Sequence, residues 1–197
     1  MTKGVDIREW MFRYRGYTPL PFLVLMVVLA RPTVASLLFG GAVVIAGEVI
    51  RFWGVSIVGA ETRTTGSVGG TFLITSGPYA YVRNPLYVGN MLLYAGVGIM
   101  SLALFPWLLL AAVVWFSVQY SLIVAREEEY LASKFGAAYD DYRKQVSRFV
   151  PRATPYRSPQ PSPKSGSIAE GFASERRTLQ AIGLVTVVII VLYCVQR

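Results

Sequence analysis

The chain has 197 residues, of which 54% are hydrophobic and only 15% are charged, and its formal net charge is +8. A soluble domain carries about 25% charged residues, so this composition indicates an integral membrane protein, and because the basic residues lie between apolar runs it disfavours nucleic-acid binding. There is no histidine and one cysteine, which excludes histidine acid–base catalysis, catalytic triads, histidine-containing metal sites and an intrachain disulfide.

Two apolar runs open the chain and predict a first helical hairpin. Leu20 to Ala30 is short for a span and needs its flanking residues to reach the minimum of about 17. A signal peptide is the competing interpretation, but another apolar run follows where polar mature sequence would be needed. That second run, Val34 to Ala60, is long enough to span with tilt, and Arg31-Pro32-Thr33 predicts the turn between the two helices.

The middle of the chain predicts a second hairpin. A polar segment rich in glycine and threonine, Glu61 to Pro85, precedes two apolar runs, Leu86 to Leu104 and Pro106 to Ala125. Proline is comfortable at a helix start and pushes the preceding residue out of the helix, which favours a turn at Phe105-Pro106.

Beyond the second hairpin the chain consists of three segments of different composition. Residues 126–149 mix charges with aromatic residues, residues 151–177 are rich in proline and serine and predict a linker, and Thr178 to Val195 predicts a fifth span. In domain terms we expect a membrane core over 1–150, the linker over 151–177 and a C-terminal transmembrane helix over 178–197.

The predicted fold is therefore an all-α integral membrane protein of about five transmembrane helices, two hairpins plus a C-terminal span, with a cytosolic amphipathic helix. If every span crosses, nearly all lysines and arginines lie on one side, which the positive-inside rule places in the cytosol. The membrane would be a bacterial inner membrane or the endoplasmic reticulum. The sequence leaves the oligomeric state open.

Three consecutive glutamates follow the fourth predicted span. In a helix, Glu127 and Glu128 border an apolar stripe, whereas Glu129 points away. The stripe is formed by Leu131, Phe135, Tyr139 and Tyr142. A solvated charged face is the simpler interpretation, but two carboxylates beside a buried stripe need hydroxyl, ammonium or arginine partners, which favours a functional role.

Basic and turn-forming residues stand at the mouth of the third predicted span. Arg83 is either an interfacial anchor or a fork for a carboxylate or phosphate. Asn84 suits a helix N-cap and Pro85 a first turn, and the helix start offers free N–H groups to an anion. Glu48 and Arg51, three residues apart in the second span, can pair either for structure or for function.

Two sequence blocks together resemble a known superfamily. The resemblance covers roughly residues 40–151 and rests on Gly77-Pro78-Tyr79, Arg83-Asn84-Pro85-Leu86-Tyr87-Val88-Gly89, Glu127-Glu128 with Leu131, Phe135-Gly136, Tyr139 and Tyr142, and Arg148-Phe149-Val150-Pro151. These blocks are similar to those of the integral-membrane methyltransferases, which comprise the isoprenylcysteine carboxyl methyltransferases and the phospholipid N-methyltransferases. The former usually carry histidine where this chain has Asn84, so the chain looks more like the latter at this position.

The resemblance implies transfer of a methyl group from S-adenosylmethionine to a lipid or lipidated substrate at the cytosolic membrane face. It also implies a cofactor pocket lined by Tyr79, Arg83, Asn84, Pro85, Tyr87, Glu127 and Glu128, in which tyrosine rings can pack on the adenine or face the sulfonium. It assigns no catalytic base and no metal. Two alternatives stay open: a sterol-reductase-like enzyme that uses NADPH, and a non-catalytic membrane adaptor.

Overall fold

The computed structural model describes residues 7–58, 72–159 and 166–197, of which 75% are helical and none form a strand. The prediction of an all-α protein is confirmed for these residues. Its helices are α1 (Ile7–Tyr14), α2 (Leu20–Val28), α3 (Val34–Val58), α4 (Pro85–Ser101), α5 (Trp107–Phe135), α6 (Ala137–Gln145) and α7 (Ile168–Val195), with a short 3₁₀ helix at Gly77–Ala80 before α4.

Three helices within these residues, α3, α5 and α7, are long and apolar enough to cross a membrane. Helix α2 has nine residues and α4 has 17, so a count of five spans stays a prediction. The cytosolic position of the amphipathic segment also stays a prediction. The polar segment before Phe72, including the last two residues of the predicted second span, lies outside the described residues.

Two helices extend beyond the apolar runs that predicted them. Helix α5 continues from the apolar run through the three glutamates to Phe135, because the added residues are good helix formers. It ends at Gly136, whose φ of 50° suits glycine. Helix α7 begins at Ile168, ten residues before the predicted Thr178.

The described residues divide into two compact units, and each long helix contributes to both. The first unit comprises Met1–Ile45, Met91–Arg126 and Ile182–Arg197. Its core includes Met26, Val97, Met100, Phe116 and Ile123, all almost fully buried. Within it α3 approaches α4 closely, since a methyl group on Gly40 would lie 2.6 Å from the carbonyl oxygen of Gly96.

The second unit comprises Ala46–Asn90 and Glu127–Ala181. Its buried cluster consists of Tyr139, Tyr142, Val146 and Tyr156, with Leu131 and Phe135 packed against it. The four residues of the predicted apolar stripe therefore share one cluster, although Gly136 separates α5 from α6 between them.

Candidate functional site

The candidate site lies in the second unit, where backbone contacts hold the residues before α4. The N–H of Arg83 donates to the carbonyl of Ser147 at 2.9 Å. The N–H groups of Arg152 and Tyr156 donate to the carbonyls of Tyr81 and Ala80 at 3.0 and 2.8 Å. The 147–156 segment, defined by these residues, thus fixes the backbone from which Arg83 projects.

Arg83 forms an ion pair with Glu128. Its Nη2 and Nε donate to Glu128 Oε1 at 2.7 and 3.2 Å. Its Nη1 donates to the carbonyls of Arg143 and Val146, both at 2.7 Å. All three guanidinium nitrogens of Arg83 therefore donate to acceptors within the protein, and the anion that this guanidinium binds is the carboxylate of Glu128.

Glu128 is shared with a second arginine. Arg148 Nη2 donates to Glu128 Oε2 at 2.6 Å, and its Nε lies 3.0 Å from the same oxygen. The side chain of Glu128 is 12% exposed, and two guanidinium groups compensate the burial of one carboxylate. Hydrogen bonds from Arg148 to Glu128 raise the pKa of Arg148.

Glu127 contacts α4. The hydroxyl of Tyr87 donates to Glu127 Oε1 at 2.9 Å. Arg83 and Tyr87 thus meet Glu128 and Glu127, which lie 45 and 40 residues away in the chain. The two sequence blocks that carry the resemblance therefore meet in space.

Asn84 and Pro85 form the start of α4, as the sequence predicts. The carbonyl of Asn84 accepts from the N–H of Val88 at 3.2 Å, the position of an N-cap carbonyl. Its side-chain Nδ2 donates to the carbonyl of Arg148 at 3.1 Å. Pro85 is almost fully buried at the first helical position.

Tyrosine hydroxyls complete the site. Burial raises the pKa of Tyr142, so its hydroxyl stays protonated and donates to the carbonyl of Tyr79 at 2.7 Å. Burial, and secondarily the negative charge of Glu127, raises the pKa of Tyr79. Burial and then Glu128 raise the pKa of Tyr139 to about 12. These phenols are hydrogen-bond donors at neutral pH.

A second polar cluster, which sequence reasoning missed in part, surrounds Arg51. Its Nη2 donates to both carboxylate oxygens of Glu175 at 2.8 Å and to Thr178 at 3.3 Å, and its Nη1 donates to Asn90. The predicted partner Glu48 lies 4.0 Å from Arg51 Nε, at the outer limit of an ion pair.

The sequence does carry a signal for Glu175. Ser167 and Glu170 have the spacing of a capping box, and they cap each other's N–H groups at 3.2 and 2.9 Å. Recognition of that box would have started α7 before Glu175 and placed this residue in a helix rather than a linker.

The central part of the chain matches known proteins. Residues 35–138, a little over half of the chain, match the family described as phospholipid methyltransferase, so the chain belongs to that family. Among the described residues, no group of three or more His, Cys, Asp or Glu is placed to hold a metal ion. No solved structure matches the chain.

Three curated relatives match parts of the chain. The protein-S-isoprenylcysteine O-methyltransferase of Schizosaccharomyces pombe is 39% identical over 79 residues, 40% of this chain and 33% of the relative. The cobalt-zinc-cadmium resistance protein CzcN of Cupriavidus metallidurans is 38% identical over 85 residues, 43% of this chain and 38% of the relative. The nickel-cobalt-cadmium resistance protein NccN of Alcaligenes xylosoxydans xylosoxydans is 35% identical over 88 residues, 45% of this chain and 40% of the relative.

The matched stretches thus cover 33–40% of the relatives' lengths. The expected superfamily is confirmed, and the chain is a membrane protein of a methyltransferase family.

Proposed function

We propose that this protein transfers the methyl group of S-adenosylmethionine to a lipidic acceptor at the cytosolic membrane face. The acceptor would be a prenylcysteine-type carboxylate or a phospholipid-type amine. The observation that carries the proposal is the meeting of two distant blocks, with Arg83 paired to Glu128 and Tyr87 bonded to Glu127. The family match supports the reaction class.

The residues of the site fit the methyl donor chemically. Its ribose hydroxyls and ammonium group need carboxylates that accept hydrogen bonds, and its own carboxylate needs N–H donors. Glu127 supplies a carboxylate beside Tyr87, and the residues after Pro85 in the first turn of α4 supply backbone N–H groups. The ring of Tyr79 offers an aromatic face for the adenine. In this proposal Arg83 acts by fixing Glu128, since its nitrogens already donate to the chain.

Bound S-adenosylmethionine supplies an activated methyl group on a sulfonium, and its in-line displacement depends mainly on positioning. The role of the protein is then to hold the donor and align the acceptor. A carboxylate acceptor needs no base, whereas an amine must first lose its proton. Glu48, Glu127 and Glu128 are the candidate carboxylates for that proton. A lipidic acceptor would enter from the bilayer between the helices.

Calorimetry on the purified, folded protein tests the donor. S-adenosylmethionine and its demethylated product should both bind, and Glu128→Gln should raise the Kd at least about tenfold. Glutamine cannot balance the charges of Arg83 and Arg148, so the site loosens. Exposed Glu129 provides the matched control, and Glu129→Gln should bind like the wild type.

Folding is checked separately, because Glu128→Gln removes two ion pairs, those with Arg83 and Arg148. If this variant does not fold, Glu127→Gln is the second variant, since it keeps the contacts of Glu128 with both arginines and weakens the acceptor beside Tyr87. Wild-type protein that is folded but gives no heat with either compound contradicts the proposal. Heat with a nicotinamide nucleotide instead would favour the reductase, and heat with neither would favour the adaptor.

The acceptor is identified by methyl transfer into a total lipid extract, with the methyl group tritiated. Label in phospholipid would indicate an amine acceptor, and label in a prenylcysteine fraction would indicate a carboxylate acceptor. A donor that binds without labelling any lipid would contradict the lipidic acceptor and leave donor binding standing.

A further inference from the structure

We propose that Glu175 of α7 is a positioning residue for the methyl-donor site. Its carboxylate fixes Arg51, and Arg51 holds, through Asn90, the face of α4 that carries Tyr87. The inference rests on the proposed function, and it gives a role to a helix that lies outside the family match at 35–138.

The ion pair between Arg51 and Glu175 is buried. Glu175 is 1% exposed and the side chain of Arg51 is 13% exposed. Arg51 Nη2 lies 2.8 Å from each carboxylate oxygen, and Thr178 accepts a further bond from the same nitrogen. A carboxylate this buried is strongly unfavourable without its partner, so the two side chains fix each other's position.

The docking of α7 on α3 sets the place of Glu175. Gly171 lies one helical turn before Glu175, and a methyl group on it would collide with the side chain of Ser56. The rings of Phe52 and Phe172 lie 4.6 Å apart. These contacts place α7 against α3 and bring Glu175 to hydrogen-bond distance of Arg51 on α3.

Arg51 in turn contacts α4. Its Nη1 donates to the carboxamide oxygen of Asn90, and its aliphatic stem passes over Gly89, where a side chain would collide with it. Asn90 lies three residues after Tyr87, so both lie on one face of α4. Tyr87 donates to Glu127. A series of contacts therefore leads from Glu175 through Arg51 and α4 to a carboxylate of the site.

Removal of the carboxylate tests the inference. Glu175→Gln should raise the Kd for the demethylated donor about tenfold, because Arg51 is then free to leave Asn90. The matched control is Arg176→Gln, at the next position of α7 but exposed, which should bind like the wild type. Asn90→Ala should raise the Kd by a similar factor and keep the ion pair, so its melting temperature should stay near that of the wild type.

The exchange of the two charges separates positioning from a merely structural role. The double variant Arg51→Glu/Glu175→Arg retains an ion pair between α3 and α7, so its melting temperature should exceed that of Glu175→Gln. Its Kd should stay raised, since the introduced glutamate is shorter than arginine and cannot pair with α7 and hold Asn90 at the same time. Recovery of both properties in the double variant would overturn the inference.

The remaining outcomes are also decisive. Wild-type affinity in Glu175→Gln or in Asn90→Ala would overturn the inference and leave the proposed function intact. Wild-type protein that binds no donor would overturn the proposed function and this inference with it. Where Glu175→Gln does not fold, Asn90→Ala alone decides the matter.

Discussion

At the scale of the residue, one carboxylate organises most of the site. Glu128 receives hydrogen bonds from Arg83 and Arg148, and Arg83 also binds two backbone carbonyls near the end of α6. A planar guanidinium with donors on three nitrogens suits such cross-linking better than lysine would. One of the two interpretations of Arg83 from the sequence was that its guanidinium binds an anion, and the anion in the structure is Glu128 of the same chain.

The hydrogen bond between Tyr87 and Glu127 can be removed with little change in shape. Tyr87→Phe should raise the Kd for the methyl donor about tenfold, since a hydrogen bond to a charged group contributes about 1.5–3 kcal/mol. Calorimetry measures the affinity. The matched control is Tyr130→Phe, whose hydroxyl accepts only a 3.5 Å bond from Lys134. An unchanged Kd in Tyr87→Phe would remove Tyr87 and its contact from the proposed site.

Part of the site could be predicted from the sequence, because its residues stand in two compact blocks with recognisable spacing. Arg83, Tyr87, Glu127 and Glu128 were all predicted on that basis. The backbone carbonyls that bind Arg83, and Glu175 as the partner of Arg51, were not. These contacts depend on where distant segments fold back, and no local pattern near Arg83 or Arg51 indicates which segment that will be.

At the scale of the element, close approach of helices depends on glycine. Gly40 of α3 faces Gly96 and Met100 of α4, and a methyl group on Gly40 would lie 2.6 Å from backbone atoms of both. Small residues let helix backbones approach in this way inside membranes, where apolar burial gives little driving force for association. The neighbouring Gly41 has no atom within 4 Å of the corresponding position.

These adjacent glycines form a matched pair. Gly40→Ala should destabilise the protein by about 1–3 kcal/mol, because α3 and α4 must move apart to admit the methyl group. Gly41→Ala should be neutral or slightly stabilising, since alanine is the better helix former by about 1 kcal/mol. Melting temperatures in one detergent measure both effects. Equal melting temperatures for the two variants would contradict the close approach of α3 and α4.

Hydropathy predicted the starts of α3 and α4 well but missed the end of α5 and the start of α7. The runs from Val34 and Leu86 match the starts of α3 and α4 to within one residue. Helix α5 extends beyond the end of its apolar run because the residues that follow the run include Glu, Leu, Ala and Lys, which have high helical propensity although the segment is less hydrophobic. Helix α7 starts early for the same reason, with its polar first turns capped by Ser167 and Glu170.

At the scale of the whole molecule, the family match covers α3, α4 and α5 and ends within α6 at residue 138. Three candidate spans among the described residues, together with the family, make the chain an integral membrane protein. The orientation predicted from the basic residues puts Arg31 and the three glutamates on opposite sides of the membrane.

Cysteine labelling measures that orientation. With Cys194→Ser as background, Arg31→Cys should react with an impermeant maleimide added to intact cells, whereas Ser133→Cys should react only after permeabilisation. Both positions are exposed, so access to the reagent depends on the side of the membrane. The reverse pattern would contradict a cytosolic site, and labelling of both in intact cells would contradict the predicted number of crossings.

The 147–156 segment affects where a fragment of this protein that keeps the fold around Arg83 must end. Its groups bind the backbone at Ala80, Tyr81 and Arg83, and the same stretch carries Arg148, the second partner of Glu128. All of it lies beyond residue 138, where the family match stops. A fragment trimmed to that match would lack the partners of the backbone at Ala80, Tyr81 and Arg83. We therefore expect the fold around Arg83 to require residues beyond the family match, so the limit of recognisable ancestry and the limit of cooperative folding should not coincide.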